Sequence, residues 1–546
     1  MSSIDDLFLV ASPVEPVRVQ ALRVSLGLDE CRYTPFAHQV IGIKKLIDDP
    51  YVGLFDEPGA GKTLQVIVAA QLLFRAGTID RVIVIAPADV RPVWYDPYLG
   101  ELAAHLFPAI PAQVSEYHAK IRQWKHGNWA GTARQLRIIV SNYQFLRNKL
   151  RVSKLFSYCG PKTLLVLDES SLVKNMQSAQ SKAVAQLRKR CGRVVLMNGT
   201  PYGDTPIDLM NQANLLHPGI LECRWLTQFR TRYAIMETYR GFPEVKNWVN
   251  LDDLQRRFAP YVLRRLKKDC LDLPEALPPV LREVTLKPTT WTAYKSMRDD
   301  MVTMLRENVG TLAPQAITKA LRLAQITSGF VGGIEEIIKN DEVEFGESPE
   351  WVAAAGGETR HLTVQPVQAI GREKLDWVLE FFTERLAAEP DFKLLVWCRF
   401  RPELFRMLRA VLELFPQIPD ENINYLAGGQ KRAEREAALR LLHPSTAPDG
   451  PVFLVATYGT GSMGHNFSAC HTVVNCSYDY ALLKAQQAEA RVDRPGQTHV
   501  ISYYDIVAVG PAGQKTIDTD IVKAKRTKQS MAEWTTSAWV RALEEE

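Results

Sequence analysis

FDEPGAGKT, Phe55 to Thr63, comes directly after the short apolar run Tyr51-Val52-Gly53-Leu54 and decides how the rest of the chain is read. A strand that runs into a glycine-rich turn and opens a helix near Lys62 predicts a phosphate-binding loop. Gly59 and Gly61 let the backbone come close to a polyphosphate and aim its N–H groups at it, and the positive end of the helix dipole adds to the attraction. Lys62 would reach the β- and γ-phosphates, and the Thr63 hydroxyl would help to hold Mg²⁺. The general form GxxxxGK[ST] asks for glycine where this chain has Asp56, so the loop is an imperfect match and its meaning depends on the other motifs of the chain.

The 546 residues exceed one ordinary domain, for which roughly 100–200 residues are usual. A hydrophobic content of 46% and a charged content of 23% are globular values. The net charge of +5 permits a basic groove for nucleic acid without demanding one. Eight cysteines are scattered without a CxxC pair or a histidine at zinc spacing, and read as core thiols in a reducing compartment. The N-terminus, MSSIDDLFLV, is acidic where a signal peptide is basic, and no apolar stretch is long enough to cross a bilayer. The expectation is a cytoplasmic protein with no membrane contact.

From Tyr33 to Pro201 short apolar runs alternate with helical patterns, the rhythm of a parallel sheet with crossover helices. The expected strands are Val52 to Phe55, Arg81 to Ala86, Arg137 to Ser141, Thr163 to Leu167 and Arg193 to Met197. A helix from Leu64 to Ala76 should stop at Gly77. From Pro206 to Leu271 the pattern turns helical and basic, and LPEALPP suggests a stiff connector. Thr289 to Phe330 reads as helical, and Val331 to Ala369 as an irregular, acidic, exposed insertion. A second alternating segment begins near Gly371, with strands at Lys393 to Cys398, Asn422 to Tyr425, Val452 to Ala456, Thr472 to Asn475 and Val500 to Ile506.

LLVLDESS, Leu164 to Ser171, is an apolar strand ending in paired carboxylates. Such a strand delivers Asp168 and Glu169 to the edge of the sheet beside the phosphate loop. There Asp168 can hold Mg²⁺ and Glu169 can orient and deprotonate a water. The plainer alternative is an exposed Asp-Glu pair at a strand end. In QAEARVDRPGQ, Gln487 to Gln497, a helix would put Gln487, Arg491 and Arg494 on one face. Two guanidiniums on one face suit a developing γ-phosphate charge, although a solvated helix face looks the same.

In this arrangement the chain resembles a superfamily-two helicase motor of the Swi/Snf type, the DNA-dependent ATPases. The phosphate loop of that family is typically DEMGLGKT, and here it is DEPGAGKT, so Asp56 belongs to the family's version. PFAHQVIGIKKL is similar to its adenine-reading block, with the glutamine at Gln39. IVIAPADVRPVW resembles motif Ia, IIVSNYQFLR motif Ib, and MNGTPYGD, with Gly199, Thr200 and Pro201, motif III. APYVLRRLKKDCLDLP, Ala259 to Pro274, is similar to a block characteristic of Swi/Snf motors. KLLVWCRF resembles motif IV, VATYGTGSMGHNF motif V, and the arginine block motif VI. The likeness runs from Tyr33 to Val507 with the motifs in order. It departs at Ser170 and Ser171, where DEAH or DEGH is usual, at Asp493 in place of a histidine, and around Gly459 to Gly461, where motif V holds an extra residue.

The resemblance implies an α/β fold of two RecA-like parallel-sheet lobes with helical insertions. Its divisions would be an N-terminal extension at 1–32, an ATP-binding lobe at 33–205, a helical basic insertion and connector at 206–288, a helical and irregular insertion at 289–370, a C-terminal lobe at 371–507 and a helical brace across the lobes at 508–546. It implies ATP as cofactor, contacted by Gln39, Glu57, Gly59, Gly61, Lys62, Thr63 and Gln487, with Mg²⁺ on Thr63 and Asp168. Catalysis would fall to Lys62, Asp168, Glu169, Arg491 and Arg494. DNA, duplex by the family's habit, would be gripped through its backbone near Pro87, Tyr143, Arg399 and Thr457. The basic cluster Arg264, Arg265, Lys267 and Lys268 could also meet phosphates, or could simply be a solvated face. Trp94 and Trp397 read as core. The compactness and the WCRF form of motif IV look more like phage or bacterial members, hence a prokaryotic cell or a phage-infected host. A strand-separating DNA or RNA helicase, a nucleic-acid-binding scaffold with a vestigial site, and a motor subunit of a larger restriction, defence or replication complex remain alternatives.

Overall fold

The computed structural model describes residues 16–526 except 89, 99, 118–121, 128–133, 200–205, 240–241, 272–276, 308–312, 335–363, 462–465, 479–481 and 495–496. The chain divides into two compact units, Met1–Asp272 and Leu273–Glu546.

The strands of the first unit are β1 (Tyr51–Leu54), β2 (Arg81–Ala86), β3 (Ala112–Glu116), β4 (Arg122–His126), β5 (Leu136–Asn142), β6 (Thr163–Asp168), β7 (Arg193–Met197), the hairpin β8 (Ala234–Tyr239) and β9 (Phe242–Trp248), and β10 (Val262–Leu263). All but the hairpin form one sheet in the order β10-β1-β7-β6-β2-β5-β3-β4. Every pairing in it is parallel except β3 with β4. The central strands are β-branched and apolar without alternation, as in RVIVIA of β2, because helices cover both faces of the sheet. The helix Lys62–Arg75 ends as expected: Gly77 N donates to Phe74 O and Thr78 N to Leu73 O, a Schellman closure. Since β1 and β6 run parallel, the loop after Leu54 and the carboxylates at the end of β6 emerge at the same edge.

The second unit contains β11 (Val280–Thr285), β12 (Phe330–Ile334), β13 (Val364–Ala369), β14 (Lys393–Cys398), β15 (Ile423–Leu426), β16 (Val452–Thr457), β17 (Thr472–Asn475) and β18 (Ser502–Val509). Six of these form an all-parallel sheet in the order β11-β18-β17-β14-β16-β15. The pleat divides β14 between two cores. Leu395 and Trp397 join one, Leu394, Val396 and Cys398 the other.

All the expected strands are present, and the structure adds several that the sequence pattern hid. β3 and β4 are short and polar. β10 is two residues long inside the segment read as a helical, basic insertion, which does hold the helices Ile207–Leu216, Leu226–Tyr233 and Leu251–Phe258. β11 lies just after the prolines of the expected connector, and a sheet edge tolerates such neighbours. The insertion read as irregular is closed by an antiparallel ribbon of β12 and β13, while 335–363 lie outside the described residues.

The described part of the expected brace, the helix Ile517–Arg526, is fastened within the second unit. Its Asp518 accepts from Thr327 Oγ1 at 2.9 Å and from Ala508 N at 3.1 Å, and pairs with Lys374 at 2.7 Å. All eight cysteines are unpaired thiols, five of them buried. Cys398 and Cys476 lie beside Glu403 in the second unit, where the buried Lys374 ammonium supplies positive charge. Among the described residues no helix is long and apolar enough to cross a membrane.

Candidate active site

The loop between β1 and the helix Lys62–Arg75 is shaped by its glycines. Gly59 has a φ of 95° and Gly61 a φ of 74°, the left-handed region that costs an L side chain energy. A Cβ on Gly61 would also meet Gln39 Nε2 at 2.2 Å. Gln39 is buried and works on this loop: its Nε2 donates to Ala60 O at 3.3 Å, and its Oε1 accepts from Phe36 N at 2.9 Å. Beside it, His38 Nε2 lies 2.9 Å from the same carbonyl. Burial holds the imidazole below its usual pKa, so the ring is neutral and Nε2 carries the hydrogen. Lys62 Nζ donates to Asp56 O at 2.6 Å and to Glu57 O at 3.2 Å, across the mouth of the loop. Thr63 is next in the first helical turn.

Asp56 is wholly buried. Arg265 Nε donates to its Oδ1 at 2.8 Å, the other arm of the guanidinium meets Oδ2, and Gln65 Nε2 reaches Oδ2 at 3.3 Å. Glu57 is held as well: its N donates to Arg265 O at 3.0 Å, and its Oε2 accepts from Lys267 N at 2.7 Å. Arg264 is buried, with Nη1 3.3 Å from Gly199 O. The reading of Arg264 and Arg265 as members of a solvated or phosphate-facing basic cluster is therefore corrected. The helical period breaks at β10, and in the segment that follows it both side chains are buried.

At the end of β6, Asp168 is buried and its Oδ2 accepts from Trp94 Nε1 at 2.8 Å. Its backbone carbonyl accepts from Tyr143 Oη at 2.8 Å. Burial, and then the Asp168 and Glu169 carboxylates, push the Tyr143 phenol well above its ordinary pKa, so it stays a donor. Glu169 turns away from the strand at φ 51° and ψ 55°, a left-handed conformation that costs a non-glycine residue about 1–2 kcal/mol. Non-glycine residues held this way cluster at functional sites. Ser170, one of the departures, donates through Oγ to Gln212 Oε1 at 2.7 Å on the helix Ile207–Leu216, which comes after motif III.

In the second unit the helix Leu482–Glu489 ends earlier than the one-face reading of Gln487, Arg491 and Arg494 requires, so both arginines lie in the turn beyond it. Arg491, buried, donates Nε to Gln487 O at 3.0 Å, and Arg494 Nε donates to Ala490 O at 3.1 Å.

The four residues named for a track divide. Pro87 ends β2 and its carbonyl accepts from Val90 N and Arg91 N at 3.1 and 3.0 Å. Arg399 comes after β14, its N donating to Ser477 Oγ at 2.8 Å and its guanidinium lying 5.1 Å from the Phe400 ring centroid. Thr457 ends β16, buried, its Oγ1 3.4 Å from Leu426 O. Tyr143 is 1% exposed and braces Asp168, so its side chain offers nothing to a surface ligand. Of motif III, Thr200 and Pro201 lie outside the described residues. Sequence reading did not give functional parts to Trp94, Tyr143 as a brace, or Arg265 as a partner of Asp56. For Trp94 the only signal was its place in the motif Ia block; Trp397, also read as core, is fully buried and stacks on Tyr458.

At one edge of its sheet the first unit thus places a loop whose glycines and lysine suit an anion and a buried carboxylate whose oxygens suit a hard cation. A sequence model of the SNF2-related domain matches residues 52–328, about half of the chain. TATA-binding protein-associated factor 172 from Homo sapiens is 24% identical over 519 residues, covering 88% of this chain and 26% of its own length. Lymphoid-specific helicase from Homo sapiens is 23% identical over 520 residues, covering 87% of this chain and 60% of its own length. The chain therefore spans from about a quarter to three fifths of these relatives. The structure of the Sulfolobus solfataricus SWI2/SNF2 ATPase core in complex with dsDNA aligns over 89% of this chain and 90% of its own, at 20% identity and a TM-score of 0.38.

Proposed function

Because the chain belongs to the SNF2-related domain family, we propose that it is a motor that hydrolyses ATP to ADP and phosphate in order to move along, or remodel, duplex DNA. The observation that supports this reading is that the Gly59–Gly61 loop with its Lys62 and the Asp168-Glu169 pair emerge at the same edge of the first sheet, one strand apart. In this reading the loop amides and Lys62 bind the phosphates, and Gln39, tied to Ala60, keeps the loop in its binding shape. Thr63 and Asp168 fit Mg²⁺ in donor type, both offering hard oxygen. Bound there, Mg²⁺ would shield phosphate charge.

Asp168 is oriented for this by Trp94, and Glu169 takes the proton of the attacking water. Arg491 and Arg494 are assigned to the negative charge that develops on the transferred phosphoryl group on the resemblance alone. Gln487 and Glu57 are assigned to the nucleotide site on the resemblance alone. DNA contacts are assigned to the strand ends at Pro87, Arg399 and Thr457 through their backbone and hydroxyl groups. The unpaired thiols suit a reducing compartment, in keeping with a cytoplasmic protein.

The test is an ATPase assay with no nucleic acid, single-stranded DNA, duplex DNA and RNA. Stimulation by duplex DNA above the other three is the expected result. A preference for RNA would overturn the substrate. Absence of hydrolysis under every condition, with well-folded protein, would overturn the motor.

A further inference from the structure

Two oddities of the sequence, an aspartate where a phosphate loop usually has glycine and a run of basic residues near the end of the first unit, are one device in the structure. Arg265 lies 209 positions from Asp56, yet both are buried and joined by two hydrogen bonds. The same guanidinium donates from Nη2 to Gln65 Oε1 at 3.1 Å and from Nη1 to His38 O. It therefore touches the helix before the loop, the loop itself and the helix after it. The space is reserved: a Cβ on Gly42 would lie 1.7 Å from Gln65 Oε1 and 3.1 Å from Arg265 Nη2.

The backbone repeats the pattern. The β1–β10 ladder continues past Leu54, with Phe55 N donating to Leu263 O at 2.7 Å and Glu57 N to Arg265 O at 3.0 Å. On the other face of the strand, Arg264 Nη1 lies 3.3 Å from Gly199 O and 3.5 Å from Phe55 O.

We propose that Arg265, two residues beyond β10, is a positioning residue that clamps the first half of the phosphate loop through Asp56, so that the amides after Pro58 are held ready for a polyphosphate. This rests on the reading of the loop as the ATP site. A bidentate guanidinium fixes both position and orientation of the Asp56 carboxylate, which a lysine's single point of charge does not. Removing one partner would strand a buried charge, whereas an apolar pair of similar volume often preserves a fold.

The experiment compares wild type, the double variant Asp56→Leu/Arg265→Met and the single variant Arg265→Lys, all in the full chain. It measures melting temperature, hydrogen exchange of the 57–61 amides without nucleotide, and KM and kcat for ATP. The double variant should melt within a few degrees of wild type, exchange its loop amides at least tenfold faster, and show KM raised at least tenfold with kcat lowered less than threefold. Arg265→Lys should fall between. A folded double variant with wild-type loop exchange overturns the clamp, whatever its activity. If the double variant does not fold, Arg265→Lys decides, and wild-type exchange and KM in that variant likewise overturn it. Failure of wild type to hydrolyse ATP would sink the ATP reading while leaving the exchange comparison able to judge the clamp.

Discussion

The glycine loop of the first unit, with Lys62, and the arginine turn of the second both present positive charge, and they are built differently. The loop is gripped by residues distant in sequence: Gln39 and His38 on Ala60, Arg265 on Asp56, Lys267 on Glu57. Arg491 and Arg494 instead each bend a guanidinium back onto a carbonyl four residues earlier in the same segment. A long-range grip shapes a site before its ligand arrives, while a local hydrogen bond of about 1 kcal/mol net is readily exchanged for another. The loop's shape is thus set by distant parts of the first unit, whereas the Nε bonds of the two arginines are set within their own segment.

Replacing the residue at the centre of the gripped region should do most damage. Lys62→Ala is expected to bring ATP turnover to background, and phosphate release at the wild-type rate would refute its role. Arg491→Ala should lower kcat by about 10³–10⁵-fold while the affinity for a nucleotide analogue stays within severalfold. If affinity falls as far as rate, the contrast between a binding region and a rate-determining one is broken. Glu169→Gln should bind Mg²⁺·ATP normally and hydrolyse it about 10²–10⁴-fold more slowly, as single-turnover kinetics would reveal. A variant that cannot bind ATP would make Glu169 structural.

The mildest change probes the tether of the other carboxylate. Trp94→Phe keeps an aromatic ring, though a smaller one than the indole, and removes the donor 2.8 Å from Asp168. It should weaken the Mg²⁺ dependence of kcat by about tenfold, equivalent to about 1.4 kcal/mol. An unchanged Mg²⁺ titration would reduce Trp94 to packing.

What was legible in the sequence was what is local. The loop after Leu54, the carboxylates after Leu167 and the apolar strands announce themselves because glycine conformation, strand period and helix start are set within a few residues. The arginine block was legible in composition but not in shape, since the helix stops at Glu489, short of both arginines. Tyr143 could be read either as a track contact or as a packing residue. Its place after β5 marks the sheet edge, but a strand-end residue can turn outward to a ligand or inward to a neighbour. Here burial and the Asp168 carbonyl took it inward.

The sequence by itself determined the parallel-sheet units, the glycine-rich loop and the acidic strand end, because each is encoded by neighbouring residues acting through backbone geometry. Only the tertiary structure decided which basic residues meet solvent and which are buried, and which side chains support the reactive ones. Arg265 reaches Asp56 across 209 residues and Trp94 reaches Asp168 across 74. A hydrogen-bond partner and the degree of burial depend on what the fold packs against a residue, and no local pattern states that.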